Sequence, residues 1–338
     1  MLSGHGDDLY EYGKVKVNFS SNVYGHFDHT GLYAYLSSKM SEVTHYPAPV
    51  PSLLEAEVSR SFSLSPEQVM VTNGATEAIY LVAQTFRGAH STILQPTFSE
   101  YADACRMHVH EVTTLKELPV SFLNKGLLWL CNPNNPTGRV VEKGFLTDYV
   151  RRHPDIIFVI DASYAPFTLQ PLITPVEAVA MPNVIMLHSM TKEYAVPGLR
   201  IGYVTACESL LEKVRAHRMP WSVNQMAQDA GHYLFKHRQN YSIDLTSYMY
   251  ERERVNQLLS QMSGLEVEHS DTHILLCHLM KGKAHELKEY LYSKYGILIR
   301  DASNFEGLGE GAFRIAIQSP MENDLLVNAL AEFLSSHR

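Results

Sequence analysis

Between about residues 50 and 215 the chain alternates two hydrophobic rhythms. Short uninterrupted apolar runs have the length of strands buried on both faces. Between them, apolar residues recur at the three- and four-residue spacing of a helix with one buried side. The runs predict strands over residues 68–72, 91–95, 127–131, 156–160, 184–188 and 201–204, and the periodic segments predict helices over 53–62, 76–86, 100–107 and 145–152. Breakers separate them: Ser65-Pro66, Pro96, and the proline-rich stretch that begins at Asn132 and ends at Gly138. Strands alternating with helices predict an α/β fold, a mostly parallel sheet between helices. Ligands of such sheets bind beyond the carboxyl ends of the strands.

After Pro220 the rhythm changes. Residues 224–261 predict one or two long helices, followed by a strand over 273–278, a helix over 284–295, strands near 297–300 and over 312–317, and a final helix over 323–335. The expected organisation is an N-terminal arm (1–40), a large domain (41–219) and a smaller α+β domain (220–338). No internal repeat or low-complexity tract interrupts it.

Composition narrows the function. With 45% hydrophobic and 19% charged residues the chain can bury a sizeable core. A net charge of -8, from 28 basic and 36 acidic residues, argues against non-specific nucleic-acid binding. The 17 histidines are scattered without ligand spacing, so no metal site is expected. Cys105, Cys131, Cys207 and Cys277 form no CxxC pair and are expected to be reduced thiols. The first residues lack the basic and apolar regions of a secretory signal, and no apolar stretch approaches the ~20 residues of a membrane span, so a cytoplasmic protein without membrane or nucleic-acid partners is expected.

Four motifs carry candidate chemistry. Ser189-Met190-Thr191-Lys192 follows a buried strand, and Arg200 comes eight residues after Lys192; two hydroxyls, an amine and a fixed cation suit an anionic phosphate beside a nucleophile. Asn73-Gly74-Ala75-Thr76-Glu77 joins a strand to a helix, where backbone N–H groups can point at an anion. Asn132-Pro133-Asn134-Asn135-Pro136-Thr137-Gly138 is a rigid loop that presents Asn135. Asp161 ends a very apolar strand, with Tyr164 three residues on; a carboxylate there needs a cationic partner. Taken singly, each has a plainer explanation: a surface lysine, a glycine turn, a proline loop, a helix cap.

In this order and spacing the four motifs resemble the fold-type I pyridoxal 5′-phosphate (PLP) enzymes of the class I/II aminotransferase family, over nearly the whole chain. The resemblance implies a seven-stranded sheet in the large domain and a set of roles. Lys192 would hold the cofactor aldehyde as a Schiff base and move the proton. Asp161 would pair with the ring nitrogen, and Tyr164 and Asn135 with the ring oxygen. Gly74, Ala75, Thr76, Ser189, Thr191 and Arg200 would surround the phosphate, and Phe98 would stack on the ring, where many relatives carry tyrosine. Arg314 would clamp a substrate carboxylate. Tyr46 would reach the phosphate of a neighbouring subunit, which implies a homodimer with shared active sites.

Three further segments resemble a branch of the family that decarboxylates a small phosphorylated amino acid: His5-Gly6-Asp7-Asp8-Leu9-Tyr10, Pro220-Trp221-Ser222-Val223-Asn224, and Ile299-Arg300-Asp301 with Ser303-Asn304-Phe305-Glu306-Gly307-Leu308. That likeness implies a substrate-phosphate pocket of His5, Asn22, Arg300 and Asn304. Asp7 stands where that branch usually has a second glycine, and no proline follows Asn22. A second branch transaminates a phosphorylated amine (histidinol phosphate) or an aromatic amino acid with 2-oxoglutarate, and the motifs leave this alternative open.

Overall fold

The computed structural model describes residues 8–122 and 124–336. Its central sheet has strands β1 (Val69–Thr72), β2 (His90–Leu94), β3 (Glu111–Leu115), β4 (Gly126–Cys131), β5 (Ile156–Asp161), β6 (Val184–Ser189) and β7 (Gly202–Ala206). Their order is β1-β7-β6-β5-β4-β2-β3, and only β7 runs against its neighbours. The expected seven-stranded, mostly parallel sheet is therefore present. The central strands are buried almost throughout, as their unbroken apolar runs require, with helices on both faces. The rhythm does not predict β3. It is an edge strand, and Glu-Val-Thr-Thr-Leu has the partly exposed alternation of a strand covered on one side.

Residues 224–261 form two helices, Gln225–Lys236 and Leu245–Ser260. The Asn224 and Asp244 side chains accept hydrogen bonds from Ala227 N and Ser247 N, so each helix has its own N-cap. The strand expected near 297–300 is divided between two sheets. Ile297–Leu298 pairs in parallel with Val17–Asn18 of the arm, while β10 (Arg300–Asp301) joins β8 (Leu265–Val267), β9 (Ile274–Leu279) and β11 (Ala312–Ala316) in an antiparallel sheet ordered β10-β11-β9-β8.

The N-terminal residues serve both halves of the molecule. Phe19 N donates to Leu298 O at 2.8 Å, and Ala316 N donates to Phe19 O at 2.9 Å. Farther on, Leu32 of helix Thr30–Ser38 is buried with Leu54, Ile201 and Ala227 beside β1 and β7. Helix Gln225–Lys236, just past the expected division at residue 220, packs into that same cluster.

The end of β6 approaches β7 closely at Gly202. A Cβ there would lie 2.6 Å from His188 O and 2.9 Å from Ala75 N. Both are backbone atoms that cannot swing aside. Gly202→Ala is expected to cost about 1–3 kcal/mol of folding free energy, measured by urea denaturation. An unchanged midpoint would show that the strands can part without loss.

Candidate active site

β1, β4, β5 and β6 run parallel, so their carboxyl ends share one edge of the sheet. β1 leads through Asn73 into helix Gly74–Thr85, β4 into the Asn132 to Gly138 loop, β5 ends at Asp161, and β6 leads into the short helix Met190–Glu193. The four motifs thus meet at a cavity of about 520 Å³. Its lining includes Lys192, Asp161, Tyr164, Asn135 and Phe98, together with Ala75, Thr76, Ser189, Thr191 and Arg200; Asn22 and Arg314 complete it from the arm and from β11.

Asp161 is a buried acid of this cavity. Its Oδ1 accepts from Ser163 N at 2.9 Å and its Oδ2 from the Tyr101 hydroxyl at 2.7 Å. Burial raises its pKa above the ordinary carboxyl value, and the Ser163 and Tyr101 hydrogen bonds and the Lys192 charge act against that rise. Lys192 donates from Nζ to Ser21 O at 2.9 Å. Asn22 Nδ2 donates to the Tyr164 hydroxyl at 3.0 Å, and burial pushes that hydroxyl up to about 12.

One wall is built to face an anion. Gly74 has φ of 74°, and a Cβ on it would lie 2.7 Å from Arg200 Nη2, so only glycine lets the guanidinium lie against the helix start. Arg200 itself has φ of 54° and donates to Pro197 O at 3.2 Å. The Ser189 and Thr191 hydroxyls are 2.7 Å apart. The N–H groups of the first helical turn add partial positive charge.

The opposite wall carries the second arginine. Arg314 is almost fully buried and donates from Nη1 to Asn135 Oδ1 and from Nη2 to Ser20 O at 2.6 Å. Its Nε is buried without a hydrogen-bond partner. Across the β10–β11 ladder Arg314 is directly opposite Arg300, which is also buried. Arg300 lines a smaller cavity of about 190 Å³ that shares Phe98, Asn135 and Arg314 with the larger one. There its Nη2 donates to Asn304 Oδ1 at 2.7 Å, and its guanidinium lies over the Phe305 ring.

The structure does not bring every expected residue together. Asn22 lies with Tyr164 in the larger cavity and is not part of the lining around Arg300. Tyr46 is 87% exposed and packs on Trp221 with ring centroids 5.6 Å apart. His5 lies outside the described residues. Conversely, Tyr101 and the Ser20 and Ser21 carbonyls escaped the sequence reading. Tyr101 carried a signal, because Phe98 and Tyr101 at i, i+3 put two rings on one side of a helix start, and their centroids are 5.9 Å apart. Main-chain carbonyls carry none. Among the described residues no group of acidic, histidine and cysteine side chains is arranged to hold a metal, and no helix is long and apolar enough to cross a membrane.

With this geometry in place, likeness to known proteins is informative. A model of the family described as aminotransferase class I and II matches residues 14–330. A histidinol-phosphate aminotransferase of Caldanaerobacter subterraneus subsp. tengcongensis is 30% identical over 322 residues, covering 88% of this chain and 86% of that one. A threonine-phosphate decarboxylase of Salmonella typhimurium is 27% identical over 358 residues, covering 98% and 97%. The crystal structure of L-threonine-O-3-phosphate decarboxylase from Porphyromonas gingivalis matches with a TM-score of 0.92 and 38% identity, covering 94% of this chain and 99% of that one.

Proposed function

The chain belongs to the class I and II aminotransferase family of PLP-dependent enzymes, and from that premise we propose that it removes the carboxylate of L-threonine O-3-phosphate as CO2, with a proton taking its place, to give (R)-1-aminopropan-2-yl phosphate. The observation that carries this reading is the opposed pair Arg300 and Arg314. Like charges directly across a ladder repel, and burial pushes Arg314 down to about 9, with Arg300 adding to the shift. Such a pair is favourable when a ligand brings two anionic groups. Arg300 lines the smaller cavity, Arg314 lines both, and the cavities share Phe98 and Asn135. A small amino acid with a carboxylate at one end and a phosphate at the other suits both.

The residues fit PLP on two observations. The buried Asp161 carboxylate calls for a cationic partner such as a protonated ring nitrogen. The Gly74–Arg200 approach makes room for an anion at the helix start. When bound, PLP supplies an aldehyde that captures an amine and a conjugated ring that takes up the electron pair of the bond broken beside it. We assign Asp161 to the ring nitrogen, Tyr164 and Asn135 to the ring oxygen, Phe98 to the ring face, and Gly74, Ala75, Thr76, Ser189, Thr191 and Arg200 to the phosphate.

Arg314 holds the substrate carboxylate, and Arg300 with Asn304 holds the phosphate. With both ends held, the distance between Arg314 and Arg300 would set how the substrate is oriented at Cα. Lys192 would hold the cofactor through Nζ, and once freed the same atom would carry the proton that Cα receives. Tyr46, Met219 and Trp221 are exposed together, and we assign this face to a second copy of the chain, with Tyr46 reaching the partner's phosphate. A monomer mass in sedimentation equilibrium would exclude that arrangement.

The deciding assay supplies threonine phosphate without any 2-oxo acid. CO2 release is expected. In a parallel assay with histidinol phosphate and 2-oxoglutarate, glutamate formed with no CO2 would instead establish the aminotransferase reading, which the 30% identical histidinol-phosphate aminotransferase supports. Arg300→Gln is expected to raise KM for threonine phosphate by about 10²-fold, the scale of lost charge-assisted hydrogen bonds. Affinity for PLP should not change, and an unchanged KM would remove Arg300 from the phosphate site.

A further inference from the structure

We propose that Tyr101 is a positioning residue for Asp161: the hydrogen bond from its hydroxyl to Asp161 Oδ2, at 2.7 Å, fixes the direction of the carboxylate and keeps it ionised for a cationic ring nitrogen. The proposal rests on Asp161 being the partner of that nitrogen, as assigned above.

Tyr101 comes from helix Glu100–Met107 and has almost no freedom to move. It is 1% exposed. Its ring stacks on Trp129 of β4, with centroids 5.9 Å apart and planes at 22°, and meets Phe98 edge-on. Trp129 is itself pinned, donating from Nε1 to Ser91 Oγ at 3.1 Å. The Tyr101 hydroxyl is therefore delivered to one place.

Asp161 Oδ2 accepts from the Tyr101 hydroxyl and Oδ1 from Ser163 N. A carboxylate oxygen accepts more than one hydrogen bond, so each keeps capacity for a ligand donor. The pair of contacts fixes the carboxylate plane without exhausting it.

The charged and titratable groups facing Asp161 are Tyr101 and Cys131 from the β4 side, Tyr164 just past β5, and Lys192 on the short helix after β6. Burial pushes Tyr101, Cys131 and Tyr164 upward, so all three are neutral at ordinary pH. A protonated Tyr101 can only donate to the carboxylate. A donor to the ionised form favours ionisation, against the burial that opposes it. The phenol thus counteracts the desolvation of a carboxylate that must be charged to do its work.

The test is the pH dependence of pyridoxamine 5′-phosphate affinity, measured by equilibrium dialysis. That probe has no aldehyde, so covalent capture by Lys192 drops out. Its own titrations are common to every variant, and differences between variants report the protein. Affinity in the wild type should fall on the acid side as Asp161 takes a proton, and Asp161→Asn should lack that limb. Tyr101→Phe keeps the stacked ring and deletes the donor. Its acid limb should move up by about one pH unit, a tenfold weakening at a fixed pH on that limb. Its kcat should fall about tenfold on the same scale while KM for threonine phosphate holds.

An acid limb that coincides with the wild type in Tyr101→Phe overturns the proposal. If that variant does not fold, 3-fluorotyrosine at position 101 keeps the shape and strengthens the donor. The limb should then move to lower pH, and a stationary limb is the negative result. A wild-type protein that binds no pyridoxamine phosphate at any pH refutes the cofactor assignment itself, and this proposal with it.

Discussion

Lys192→Ala is expected to abolish turnover, lowering kcat by about 10⁴-fold or more, because one substitution removes the group proposed as both covalent anchor and proton carrier. Lys192 is the one lysine lining the larger cavity. The remaining cations there, Arg200 and Arg314, cannot take over, because a guanidinium keeps its proton and makes a poor nucleophile. The groups assigned to the cofactor phosphate are untouched, so the variant should still bind PLP reversibly. Two measurements separate anchoring from binding. The visible band of covalently held cofactor should disappear, and borohydride should no longer fix cofactor mass to the chain. The side chain is only half-buried, so the unfolding midpoint should barely move. Retention of more than about a hundredth of wild-type activity would place the chemistry elsewhere.

The second large effect is at Asp161, where stability and activity should move in opposite directions. Its carboxyl is raised mainly by burial, and its hydrogen bonds offset that only in part. A carboxyl whose folded pKa lies above its unfolded value adds stability at acid pH, and that contribution is lost as the pH rises through the folded value. In the cofactor-free chain at neutral pH the ionised group is therefore a net cost. Asparagine carries no charge. Cofactor-free Asp161→Asn is expected to melt at or above the wild-type temperature at neutral pH and to lose that margin as the pH falls toward about 4, the ordinary carboxyl range. With PLP added the order should reverse, since an amide cannot balance a ring cation. Decarboxylation should fall by about 10²–10³-fold, the scale of a lost preorganised electrostatic partner. A cofactor-free variant that melts well below the wild type at neutral pH would mean that Asp161 serves the fold.

How much of this was legible in the sequence depended on which atoms carried the information. The buried strands β4, β5 and β6 announce themselves because burial on both faces excludes polar residues. The edge strand β3 does not, and the strand near 297–300 is misread because its neighbouring residues pair with different sheets. At the candidate site, Lys192, Asp161 and Asn135 sit in motifs whose spacing betrays a turn at a strand end. Arg300 and Arg314 sit on consecutive strands joined by a loop, and only the register of the ladder makes them opposite. Tyr101 looks like a core aromatic until its hydroxyl is seen to end on Asp161.

The N-terminal arm offers its functional groups in an unusual form. Ser20 O receives Arg314 and Ser21 O receives Lys192, while Phe19 on the same short stretch is bonded to Leu298 and Ala316. Because these acceptors belong to the peptide backbone, exchanging one small side chain for another at positions 20 and 21 should leave them where they are. Removing or adding a single residue between 19 and 22 would shift each carbonyl to the wrong cation. A mutational scan of this stretch should therefore show tolerance to small substitutions beside intolerance to any change in length. In a library selected for activity, the arm would be constrained by counting rather than by chemistry.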